Sequence, residues 1–134
     1  MTEETRMRGG RSLAEAIEEH LDEWSERTGI TVEVWALPKG HVPVALSRAV
    51  MTVLREALSN TARHSHARTV AIAITMAPSG LRMTVSDDGI GFAEPVTGRG
   101  IAAMRAAFAE VGGAVRVNSV HGEGTTVSAA APAS

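Results

Sequence analysis

Residues 44–64 read VALSRAVMTVLREALSNTARH, and one long helix, opening after Pro43 and running to about His64, accounts for the whole run. Leu46, Val50, Val53, Ala57 and Thr61 recur at helical spacing and mark one face. With each residue advancing roughly 100° around the axis, Val50, Val53 and Ala57 fall within about 40° of Leu46, whereas Arg48, Thr52, Arg55 and Ser59 gather opposite. Core and solvent faces are therefore distinct. Three polar residues break the pattern. Asn60 and His64 lie on the apolar side and Glu56 at its edge, stacked by i,i+4 spacing into one stripe. A solvated ion-pair face would set such groups among the arginines, and burying them unpaired would cost roughly 1 to 3 kcal/mol each. The stripe reads as the wall of a cavity, against the plainer alternative that these side chains cap nearby backbone. A carboxylate beside an amide oxygen is also a hard-oxygen pair of the kind Mg²⁺ accepts while keeping most of its waters and bridging to phosphates.

Outward from this helix the chain alternates in type. Upstream, SLAEAIEEHLDEWSER places Leu13, Ile17, Leu21 and Trp24 at helical spacing between Ser12, an N-cap residue, and Gly29, a helix stop. TVEVWA, Thr31 to Ala36, alternates and is rich in β-branched residues, the pattern of a strand. Downstream, RTVAIAITM and LRMTVSD alternate on either side of Ala77-Pro78-Ser79-Gly80, which predicts a β-hairpin. A glycine-rich segment from Asp88 to Gly98 leads into IAAMRAAFAEV, helical in composition and halted at Gly112-Gly113, and two further strands, AVRVNS and TTVSAAA, flank the turn VHGEG. The order predicts an α/β (α+β) two-layer sandwich, with helices on one face of a mixed, mostly antiparallel sheet. One domain is expected over 12–134, with 1–11, polar and glycine-ended, as a disordered lead-in.

Two glycine pairs then become informative. In Asp87-Asp88-Gly89-Ile90-Gly91 the glycines let the backbone turn sharply and approach a flat ligand, while a carboxylate at the strand end can accept a hydrogen bond from an exocyclic amine. A simple turn is the competing reading. An EF-hand is excluded, because the alternating ligands and closing Glu are missing. Gly98-Arg99-Gly100 opens the next helix, where free backbone N–H groups without side chains in the way can seat phosphate. With Ala103 it fits the loose dinucleotide pattern G-x-G-x-x-A only weakly, since Pro95-Val96-Thr97 is no strand. Gly122-Glu123-Gly124-Thr125 reads as a hairpin turn unless the other segments converge on it.

Composition narrows the classes. A chain of 134 residues with 44% hydrophobic content can bury a sizeable core. A formal charge of −2, two Trp, two Phe and no Tyr argue against a nucleic-acid binder. Lys39 is the sole lysine, so no P-loop can be written. No window reaches the ~20 apolar residues of a membrane helix, so no direct membrane contact is expected, and the lack of cysteine suits a reducing cytoplasm.

In this order and spacing the segments resemble the GHKL ATPases, the superfamily of gyrase, the Hsp90 chaperone, MutL and the histidine kinases. Arg55-Glu56-Ala57-Leu58-Ser59-Asn60 through Arg63-His64 looks like the N-box, Asp87-x-Gly89-x-Gly91 like the G1 box, Gly98-x-Gly100 like the G2 box, and Gly122-x-Gly124-Thr125 like the last glycine motif of the kinases. REALSNTARHSHA with DDGIGF is most similar to the NarL and DesK type of sensor kinase, and the resemblance covers about residues 12 to 131. It implies the Bergerat fold and Mg-ATP as ligand. By this resemblance Asp87 would accept the adenine amino group, with Gly89 and Gly91 letting the base lie against the backbone. Asn60 would bind Mg²⁺, and Glu56 would orient the metal's water or act as a base. His64 would lie near the phosphates, Gly98 and Gly100 would hold them at the helix start, and Thr125 would back Asp87.

The same resemblance implies a kinase catalytic domain that donates its phosphoryl group to a histidine on a separate dimerisation domain, with a response regulator downstream and the domain itself monomeric. The segment Phe92 to Thr97 is shorter than the lid of other kinase subfamilies, and EAIEEHLDEW around His20 lacks the phosphoacceptor pattern, so His20 is expected at a solvated helix position. His41, His66 and His121 are expected in loops or at the surface. The alternatives are an anti-sigma-factor serine kinase, which would share the fold, and a non-catalytic module switched by nucleotide. The wording of the first motif favours a sensor kinase over the former, and intact Glu56, Asn60 and Asp87 count against the latter.

Overall fold

The computed structural model describes residues 12–65, 67–89, 99–120 and 122–133, apart from the side chains of 64, 65 and 99. The expected lead-in, 1–11, lies outside the described residues. Helix α1 spans Leu13–Thr28 and begins with a capping box: Ser12 Oγ accepts from the Glu15 N–H at 3.2 Å and Glu15 Oε1 from the Ser12 N–H at 2.9 Å. It ends at Gly29, whose φ of 78° is the left-handed conformation that lets its N–H reach back to the Ser25 carbonyl. Strand β1 is Thr31–Ala36 and helix α2 Val44–Asn60. Beyond Asn60 the expected helix widens into a π-helical turn, Thr61–Ser65.

Strands β2 (Thr69–Ala77) and β3 (Gly80–Asp87) form the anticipated hairpin. Helix α3 covers Arg99–Ala109, and β4 (Ala114–Val120) and β5 (Gly124–Ala131) close the chain as a second hairpin. The sheet has five strands in the order β1-β2-β3-β5-β4. Only the β1–β2 pair is parallel, so α2 is the crossover between neighbouring parallel strands, and β5 inserts between β3 and β4.

Strand alternation and helix periodicity meet in one core. Val70, Ile72 and Ile74 of β2, Leu81, Met83 and Val85 of β3, and Val127, Ala129 and Ala131 of β5 turn inward under Leu46, Val50, Val53, Leu54 and Leu58 of α2. Leu13, Ile17, Leu21 and Trp24 of α1 and Ile101, Met104 and Phe108 of α3 complete it. The result is the expected two-layer sandwich. No helix among the described residues is long and apolar enough to cross a membrane.

Candidate functional site

The inward rows of two adjacent strands end on polar residues. Residues 81, 83, 85 and 87 of β3 point to the core, as do 131, 129, 127 and 125 of β5, and the register pairs Asp87 with Thr125 at the open end. Both are nearly buried, at 9% and 8% exposure, so the apolar layer finishes in a carboxylate and a hydroxyl. Asp87 Oδ1 accepts from the Gly89 N–H at 2.9 Å and from the Thr125 N–H at 3.3 Å. Oδ2 accepts from the Thr61 hydroxyl at 3.0 Å, across from the π-helical turn. A carboxylate has about four acceptor positions. Among the described residues three are taken, and the one left lies on Oδ2.

At Gly124 the backbone is too close-set for a side chain. A Cβ on Gly124 would collide with the Asp87 carbonyl and lie 3.5 Å from its Oδ1. Thr125 therefore backs Asp87 through its N–H, while its hydroxyl pairs with Ser119 Oγ at 2.9 Å. The segment Gly122 to Thr125 is both a hairpin turn and a wall of the site.

A second wall comes from α2 against the start of α3. A methyl on Gly100 would sit 2.8 Å from Glu56 Oε1 and 3.9 Å from Asn60 Oδ1, so the missing side chain brings the N-terminal turn of α3 against both residues of the stripe. Glu56 and Asn60 are half-buried, as expected of residues lining an opening rather than filling a core. Asn60 Oδ1 accepts from Arg63 Nη2 at 2.9 Å, which leaves the amide oxygen one lone pair. Among the described residues no three His, Cys, Asp or Glu cluster as a metal cage. A cation at Asn60 and Glu56 would thus complete its shell from water and from oxygens of a ligand, the habit of Mg²⁺. The open position on Oδ2, the bare helix start at Gly100 and this oxygen pair fit a nucleotide with its metal.

Asp87, Gly89, Thr125, Glu56, Asn60 and Gly100 are thus positioned by β3, β5, α2 and α3 around one end of the sheet. Gly91 and Gly98 lie outside the described residues, as do His66 and His121, and nothing is described of the His64 side chain. His41 is exposed, as expected. The expectation for His20 is corrected: it is half-buried, and burial, reinforced by the Arg55 guanidinium, holds its pKa below the usual histidine value.

Two residues escaped sequence reasoning. Thr61 counts there as one more member of the apolar face, yet its buried hydroxyl contacts Asp87. The signal was a β-branched polar residue immediately after Asn60. Asp88 is exposed and turns backward: its Oδ1 accepts from the Arg68 and Thr69 N–H groups at 2.9 and 3.0 Å, and its own N–H donates to the Thr69 carbonyl at 3.2 Å. The Thr69 and Arg68 backbone donors, with a smaller opposing effect of burial, hold its carboxyl below the usual range. Asp88 pins the end of β3 to the start of β2, so that Asp87 is aimed by a neighbour of the same chemistry.

Comparison with known proteins agrees with this geometry. The profile of the histidine kinase-, DNA gyrase B-, and HSP90-like ATPase family matches residues 45–134. The sensor histidine kinase LiaS of Bacillus subtilis is 32% identical over 126 residues, 92% of this chain and 35% of LiaS. The nitrate/nitrite sensor protein NarX of Escherichia coli is 32% identical over 83 residues, 61% of this chain and 14% of NarX. The chain thus spans about a third or less of the curated relatives it matches. Among solved structures, the histidine kinase domain of the Erythrobacter litoralis EL346 blue-light activated histidine kinase superposes with a TM-score of 0.78 at 24% identity, over 90% of this chain and 61% of that one. The Acinetobacter baumannii histidine kinase AdeS gives 0.69 at 19% identity over 90% and 63%. These likenesses show the fold, and the match over two-thirds of the chain shows the family: this chain belongs to the histidine kinase-, DNA gyrase B- and HSP90-like ATPases.

Proposed function

We propose that this chain is the ATP-binding catalytic domain of a cytoplasmic two-component sensor histidine kinase, and that it acts on a histidine carried by a separate dimerisation domain. The observation that carries the reading is the one acceptor position on nearly buried Asp87 that no described residue fills, beside Gly124, where the backbone leaves no room for a side chain. It suits a flat base that offers one exocyclic N–H. Mg-ATP supplies the transferable phosphoryl group and a metal that neutralises charge around it.

Asp87 holds the adenine amino group and Gly89 keeps the floor beneath the base clear of side chains, with Gly91 assigned the same task by the motif. The backbone N–H groups at the start of α3, left uncovered by Gly100, seat phosphate oxygens, with Gly98 assigned the same task by the motif. Asn60 would hold the metal through the lone pair that Arg63 leaves free on its amide oxygen, and Glu56 would orient the metal's water or take a proton. His64 attends the phosphates from the enzyme side. A response regulator is the downstream partner.

The test is to incubate the chain with γ-labelled ATP, alone and with the histidine-bearing domain of a sensor of this subfamily. Acid-labile label on the added domain only is expected, because in-line transfer needs an acceptor histidine beside the γ-phosphate. Strong self-labelling would mean one of the chain's own histidines serves as acceptor. Acid-stable label on an added anti-anti-sigma protein would move the assignment to the serine kinases.

A further inference from the structure

Thr61 occupies an unusual position. It opens the π-helical turn, is 3% exposed, and has one hydroxyl proton within reach of two acceptors, the Ala57 carbonyl at 3.1 Å and Asp87 Oδ2 at 3.0 Å. A threonine in a helix favours the rotamer whose Oγ1 meets the carbonyl four residues back, and its methyl restricts the others. Here that same rotamer lays the hydroxyl against the carboxylate. The charged acceptor makes the stronger bond, and the Ala57 carbonyl holds the hydroxyl in line.

We propose that Thr61 is the positioning residue of the base-binding site: it occupies one side of Asp87 Oδ2 and so fixes where the remaining acceptor position points. Oδ1 is closed on both sides by the Gly89 and Thr125 N–H groups. Without Thr61 the carboxylate keeps, among the described residues, those two bonds on one oxygen and is free to swivel about it. With Thr61 it is held at both oxygens, and an incoming amino group meets an oriented lone pair. The specificity for a 6-amino purine is thus set jointly by Asp87, which accepts, and Thr61, which aims. This inference rests on the reading of Asp87 as the adenine acceptor.

The experiment compares Thr61→Val and Thr61→Ser with the unaltered chain by titration calorimetry, using ADP and the 5′-diphosphate of purine riboside, which lacks the 6-amino group. Thr61→Val should weaken ADP roughly ten-fold, the scale of one net hydrogen bond, and leave purine riboside diphosphate unchanged. Thr61→Ser should bind ADP to within about three-fold of the unaltered chain, since it keeps the proton donor. Equal weakening of both ligands by Thr61→Val would overturn the proposal in favour of general structural support, and unaltered ADP affinity would overturn it outright. If Thr61→Val does not fold, Thr61→Ala makes the same comparison without a methyl against the carboxylate. Failure of the underlying reading is separately visible: the unaltered chain would then bind the two diphosphates equally well.

Discussion

Replacing Asp87 with Asn exchanges one oxygen for an NH₂ group, and the surrounding contacts decide how far fold and ligand each suffer. The amide oxygen can stay where Oδ1 was, still accepting from Gly89 and Thr125 at 2.9 and 3.3 Å. The new Nδ2 then faces Thr61 Oγ1 across 3.0 Å, and that hydroxyl can turn its proton to the Ala57 carbonyl, 3.1 Å away, and accept from the amide. Every buried group keeps a partner. The loss to folding is confined to charge assistance, about 1 to 2 kcal/mol. The loss to the ligand is larger, because the open position on Oδ2 becomes a donor and would meet the adenine amino group donor to donor. Removing a bond to a charged acceptor costs about 1.5 to 3 kcal/mol, about ten- to a hundred-fold in Kd. Titration calorimetry with ADP measures the second effect and urea unfolding the first. A folded variant with undiminished ADP affinity would show that adenine does not sit at Asp87.

Gly100→Ala should lower phosphoryl transfer while leaving stability within about 1 kcal/mol, because its methyl meets the movable Glu56 side chain at 2.8 Å rather than backbone; transfer rates and urea melts on the same sample separate the two. Gly124→Ala should destabilise the fold by about 2 to 5 kcal/mol, since left-handed strain at φ 105° adds to a collision with the Asp87 carbonyl. Gly122→Ala, at φ 89° in open space, should cost only about 1 to 2 kcal/mol in the same assay. Asn60→Ala should abolish the Mg²⁺ dependence of ATP binding more than it weakens binding without metal, and equal losses with and without Mg²⁺ would assign the residue a structural role. Asp88 has its carboxyl held below the ordinary aspartate value, so its contribution to stability is fully present above that ordinary value and is lost as pH falls through the lower folded one. The difference in Tm between the chain and Asp88→Asn should therefore be full near neutrality and close below about pH 4. A difference that persists undiminished in strong acid would contradict the backbone clamp.

Local pattern carried much of this far. Most strands and the first two helices announced themselves by periodicity and α3 by composition, Ser12 and Gly29 marked the limits of α1, and the polar stripe Glu56-Asn60 stood out because carboxylates and amides do not line a core without reason. Strand order was not legible in the same way. Nothing in AVRVNS or TTVSAAA says that β5 lies between β3 and β4, since register is a property of two segments distant in sequence. Thr61 passed as apolar because its methyl and branching mimic valine, and only the fold shows what its hydroxyl meets. Asp88 was hidden by adjacency: consecutive residues at a strand end point to opposite sides, so DD contains one inward-facing carboxylate and one backbone clasp. His20 is half-buried by tertiary packing, which the helix wheel of α1 does not contain.

The parallel placement of β1 beside β2 bears on where this domain can be cut. The family match begins at residue 45, which suggests an economical fragment carrying every motif. Such a fragment would strip the β1 neighbour from all of Thr69–Ala73 and leave the backbone amides and carbonyls of β2 as a bare edge, a template for intermolecular pairing. It would also remove Leu13, Ile17, Leu21 and Trp24 from the core, each 3% exposed or less. At about 1.5 to 3 kcal/mol for each such side chain, that deficit is comparable to the entire margin of about 5 to 15 kcal/mol by which a small domain is folded. A minimal fragment defined by sequence motifs should therefore precipitate or gather into aggregates, whereas one beginning at the Ser12 cap should remain dispersed.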